Sequence, residues 1–124
     1  MSKLYEFELG KAAEILVREL FRIKPNEEFV ITADTECDMR VVEATARAAF
    51  AVGAKPVVLW LASPLGVGKA ADPMLPMRTL TALLKEADAW VEFNNHWLLY
   101  SSPWDIAMEE NRKLRYLCLV GMDT

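Results

Sequence analysis

The chain has 124 residues, is 53% apolar and 26% charged, and carries a net charge of −4. That length makes one domain with a real core. No apolar run approaches the roughly 20 residues that span a bilayer, and no face gathers Lys and Arg for nucleic acid, so neither membrane nor nucleic acid is an expected partner.

In chain order, Leu9, Ala12, Ala13, Leu16, Val17 and Leu20 fall at helical spacing, which predicts an amphipathic helix over about 6–23. Pro25-Asn26 ends it. The short β-branched stretch EFVITA, 28–33, predicts a strand. Asp38 is placed to cap a second helix over 39–52, rich in alanine and closed by Gly53. PVVLWL, 56–61, is apolar throughout and predicts a strand covered on both faces.

A long connection over 62–76 holds three prolines, and a helix over 77–86 follows with Leu80, Leu83 and Leu84 inward. AWVEF, 89–93, predicts the third strand. Ser102 is expected to cap a helix that opens with Pro103 and runs to about Arg112, and 116–120 is the fourth strand. Helix and strand alternate throughout. The expected fold is therefore α/β: an open, mostly parallel sheet of about four strands with helices on both faces, a Rossmann-like three-layer arrangement. Ligands of such sheets lie beyond the carboxyl ends of the strands, a rim shared here by 33–36, 62–63, 94–96 and 121–123.

The candidate substrate contacts come from that rim. Asn94, Asn95 and His96 bring three donor-acceptor side chains to one strand exit, although a plain turn also explains them. Thr35 stands in an acidic loop with Asp34, Glu36 and Asp38, where capping and solvation compete with substrate or metal contact. Ser101 and Ser102 open a helix whose free amides attract a carboxylate. Trp90, Trp97, Tyr100 and Trp104 gather around the same loop, as packing or as a flat wall for a ring.

GVGKAA, 66–71, follows no strand directly and is expected to be a surface loop rather than a phosphate cradle. Cys37 and Cys118 are expected to be reduced thiols of a cytoplasmic protein. With His96 the only histidine, we expect neither a catalytic triad nor a bound metal within this chain.

GKAAEILVRELFRIKPNEEFVITAD and VVEATARAAFAVGAKPVVLW resemble the opening of the aminopeptidase T-like family, and KEADAWVEFNNHWLLYSSPWDIAMEENRKLRYLCLVGM is similar to its continuation. That family includes iron-dependent 2,5-dihydroxypyridine 5,6-dioxygenases. The resemblance covers most of the chain and rests on apolar and small residues. It implies that 1–124 is the N-terminal α/β domain of a two-domain metalloenzyme. The His, Glu and Asp ligands for iron or zinc would then lie in a C-terminal half beyond this sequence. The expected partners are a small-molecule substrate or peptide, and further copies or a partner subunit; the chain alone is not expected to turn over substrate. A non-catalytic α/β binding or partner-interaction module, suggested by the apolar stretch WLLYSSPW, is the alternative.

Overall fold

The computed structural model describes residues 6–64, 66–94 and 97–119. The described elements are α1 (Glu6–Ile15), which continues as a π-helical segment Leu16–Leu20, β1 (Glu28–Asp34), α2 (Met39–Ala51) and β2 (Lys55–Leu61). A 3-10 helix (Gly68–Met74), α3 (Met77–Glu86), β3 (Ala89–Glu92), α4 (Ser102–Glu110) and β4 (Arg115–Cys118) follow. The strands form one parallel sheet in the order β2-β1-β3-β4.

That order explains the three layers. β1 to β2 steps one way along the sheet, whereas β2 to β3 and β3 to β4 step the other way. Right-handed crossovers therefore put the connecting helices on opposite faces. Strand alternation divides the core accordingly. Phe29, Ile31, Ala33 and Val91 pack with Leu9, Ala13, Val17, Val42 and Ala49 from α1, the π segment and α2. Val30 and Trp90 point the other way and pack with Ala71, Leu80, Leu84, Leu98 and Ala107.

Local chemistry fixes the ends of the helices. The Asp38 carboxylate accepts from the Arg40 N–H at 2.9 Å and caps α2 as expected. Gly53 takes a φ of +88° beyond the other end, with a substituted Cβ only 3.3 Å from Pro25. Its carbonyl accepts from the Asn26 N–H at 2.8 Å, joining that turn to the Pro-Asn turn after α1. Buried Asn111 closes α3 from a distance: its Nδ2 donates to the carbonyls of Leu84 (2.9 Å) and Ala87 (2.8 Å).

Two expectations change. The apolar run of β2 is not covered on both faces: Val57 and Val58 are 40% and 42% exposed. β2 is an edge strand with β1 as its only described neighbour, so little of the helix layers reaches its outer side. The GVGKAA stretch is not a loose loop. Gly68 opens the 3-10 helix at φ +59°, a left-handed conformation that favours glycine. The Lys69 ammonium donates to the Tyr100 carbonyl at 2.7 Å and pairs with Asp105, pinning the segment to the start of α4.

Candidate functional site

In the order β2-β1-β3-β4 the chain reverses its direction of travel between β1 and β3, the place where sheets of this kind bind ligands in a crevice beyond the carboxyl ends of the strands. The residues there come from three strand exits. Thr32, Asp34, Glu92 and Asn94 are all fully buried, although all are polar.

A donor chain runs through the crevice floor. The Trp90 indole N–H donates to Thr32 Oγ1 at 2.9 Å, and the Thr32 hydroxyl donates to Asn94 Oδ1 at 2.7 Å. The Trp90 N–H takes one acceptor site of Thr32 Oγ1, the Thr32 hydroxyl proton goes to Asn94 Oδ1, and the Asn94 amide nitrogen is left for a further acceptor. That Nδ2 is buried and has no hydrogen-bond partner among the described residues. A buried donor without an acceptor costs about 1–3 kcal/mol, which an incoming oxygen acceptor would recover.

Beside it, the Cys37 thiol donates to the Phe93 carbonyl at 2.8 Å and ties the β1 exit loop to the β3 exit. Asp34 Oδ1 accepts from the Glu36 N–H at 3.0 Å, which sets that loop's turn. Thr35 is exposed at the rim; its Oγ1 accepts from the Ser63 N–H at 3.2 Å, and the Ser63 hydroxyl donates to Glu36 Oε2 at 2.6 Å. Three rim segments are thus stitched together by side chains rather than by the sheet.

Glu92, the last residue of β3, was not among the residues singled out from sequence. Its carboxylate accepts from the Tyr116 hydroxyl at 2.7 Å and from the Leu98 N–H. Burial pushes its pKa up to about 7, against the opposing pull of those donors. Burial and the Glu92 charge together push the Tyr116 phenol up, so it remains a donor. The pair anchors the loop after β3 to the neighbouring strand. A single carboxylate at the exit of an apolar strand was the available signal, but its partner lies 24 residues away.

Ser101 and Ser102 are used internally. Ser101, rather than the expected Ser102, caps α4: its buried Oγ accepts from the Trp104 N–H at 3.3 Å. The Asp72 carboxylate accepts from the Ser102 N–H at 3.0 Å and from its hydroxyl. The carboxylate attracted to this helix start is therefore the chain's own. The aromatics also meet one another. Trp90 packs on Tyr116 at 4.5 Å, Tyr116 on Trp104 at 6.1 Å and Trp104 on Tyr100 at 5.1 Å. Asn95 and His96 lie outside the described residues, as do 120–124.

Among the described residues neither Cys37 nor Cys118 is in a disulfide. Among the described residues no group of three or more His, Cys, Asp or Glu side chains is placed to hold a metal ion, and no helix is long and apolar enough to cross a membrane. A hollow of about 500 Å³ lies on α1 and the π segment, lined by Phe7, Gly10, Glu14 and Arg18 among others; no rim segment contributes to it.

No protein-family model matches the sequence, and no curated protein matches it by sequence. Its fold resembles that of 2,5-dihydroxypyridine dioxygenase from Pseudomonas putida KT2440, with a TM-score of 0.71 and 21% identity over 95% of this chain. It also resembles wild-type AmpT from Thermus thermophilus, with a TM-score of 0.63 and 14% identity over 97% of this chain. The chain spans 35% and 37% of those two proteins' lengths. At such identities the likeness is one of fold.

Proposed function

We propose that this chain is the substrate-cleft domain of a metal-dependent enzyme of the aminopeptidase T and dihydroxypyridine dioxygenase kind, with the metal ligands outside these 124 residues. The observation that carries the reading is the Asn94 amide nitrogen, buried without a partner among the described residues and held by Thr32 and Trp90 at the switch point between β1 and β3. The likeness over nearly the whole chain, at about a third of each neighbour's length, supports placing it as one part of a larger catalytic unit.

In this reading Asn94 donates to a carbonyl, carboxylate or ring oxygen of the substrate. Thr35 flanks it from the β1 exit, and Asn95 and His96, the next residues in sequence, are proposed as further substrate contacts. Glu92 and Tyr116 hold the loop after β3. The bound iron or zinc would supply Lewis-acid activation or redox chemistry, and none of the contacts above depends on it. By analogy with the dioxygenase, we take a small aromatic ring rather than a peptide as the substrate. The same reading makes the protein cytoplasmic and an oligomer or a subunit.

The test is a competition between the purified chain and a chromophoric chelator for iron(II) and for zinc. The expected result is no binding tighter than micromolar. Submicromolar retention of either metal by this chain alone overturns the placement of the ligands outside it.

A further inference from the structure

We propose that β2 is the pairing edge of a two-fold dimer, in which this strand runs antiparallel to the β2 of a second copy. The backbone of β2 carries the reading. The Lys55 N–H donates to the Glu27 carbonyl at 2.8 Å, so Lys55, Val57, Leu59 and Leu61 turn their backbone groups toward β1. The intervening residues, Pro56, Val58 and Trp60, turn theirs outward.

Proline lacks an N–H, and Pro56 occupies an outward position, so it removes no bond to β1. Val58 and Trp60 each present one donor and one acceptor along the open edge. A two-fold axis at Leu59 sets Val58 opposite Trp60 of the second copy, and Trp60 opposite its Val58. Each such pair exchanges two backbone hydrogen bonds. The arrangement is self-complementary, as a closed two-fold interface requires.

The side chains agree with this register. Val58 pairs in the sheet with Ile31, and Trp60 with Ala33, so both stand on the α1/α2 face. They are 42% and 36% exposed. Across the axis they form an aromatic–β-branched pair, a favourable cross-strand combination. Edge strands that remain unpaired are usually short, charged or bulged. This edge has seven residues, and none from Pro56 to Leu61 is charged.

Charge complementarity selects a second copy over an unrelated chain. The same register brings exposed Lys55 level with Ser63 of the second copy, whose hydroxyl donates to the exposed Glu36 carboxylate. Symmetry repeats this cation–carboxylate approach at the other end of the ribbon.

The experiment combines sedimentation over a wide concentration range with residue-resolved amide hydrogen exchange. The expected result is a dimer in which the Val58 and Trp60 amides are protected, with protection lost on dilution. Val58→Lys is expected to be monomeric while keeping the Ile31 amide protected. Lys55→Glu, at an exposed position, is expected to weaken the dimer about tenfold, and adding Glu36→Lys to restore it. A monomer at every concentration overturns the proposal. So does a dimer with rapidly exchanging Val58 and Trp60 amides, or one that tolerates both single substitutions. None of these outcomes depends on metal or substrate, so the proposed function stands or falls separately.

Discussion

β2 and β3 invert what their compositions suggest. PVVLWL has no charge and lies half in solvent, whereas AWVE carries a carboxylate and is wholly buried. The difference is position. β3 has a strand on each side, and both core clusters include its residues. β2 has one described neighbour and keeps an open side. Composition therefore reports that a segment is a strand, while sheet order decides what its side chains meet.

The sharpest way to break this contrast is a pair of tryptophan substitutions. Trp90 is fully buried and gives its indole N–H to Thr32, so Trp90→Ala should cost about 3–5 kcal/mol. Trp60→Ala, measured where the chain is monomeric, should cost less than about 1 kcal/mol. Urea unfolding of both variants decides it; equal losses would mean that β2 is covered.

Glu92 gives the next largest effect, and its sign is opposite to that of a paired surface carboxylate. Its folded pKa of about 7 lies above the ordinary 4.5, so the folded state holds the proton more tightly. Stability should fall as pH rises between those values, by about 3 kcal/mol in total. Glu92→Gln cannot ionise and should flatten that slope in unfolding measurements spanning pH 4.5 to pH 7. Asp88 is the counterpart. The Glu28 N–H, at 2.8 Å, holds its carboxyl below the usual range, so its contribution is present above pH 3.8 and fades as pH falls further.

Smaller effects test how the two faces are held. Asn111→Ala leaves the Leu84 and Ala87 carbonyls without that donor and should cost about 1–3 kcal/mol. Asp38→Ala removes a cap at the edge of the site and should cost about 1 kcal/mol. Thermal unfolding resolves both, and the reverse ranking would mean that the cap contributes more than the buried amide.

What was legible in the sequence was local. The 3.6-residue spacing of Leu9, Ala13, Leu16 and Val17 marks the first helix, and all four residues are buried. Asp38 and Gly53 mark the ends of α2. Alternation of helix and strand marked the parallel α/β class. The order of strands has no local signal, so the exposure of β2 was missed. The same holds for side-chain contacts across the chain: Asp72 reaches Ser102 across 30 residues, and Glu92 reaches Tyr116 across 24. Among the expected site residues, Thr35 and Asn94 stand at the crevice, while Ser101 and Ser102 are engaged in holding α4.

The most direct test of the crevice is a nuclear magnetic resonance titration of the labelled chain with 2,5-dihydroxypyridine. Binding at the β1/β3 crevice predicts that the largest shifts fall on the Asn94 side-chain amide and the Thr35 backbone, and that Asn94→Ala weakens binding about tenfold. Saturation with those signals unmoved, or with the largest shifts along α1, would contradict it.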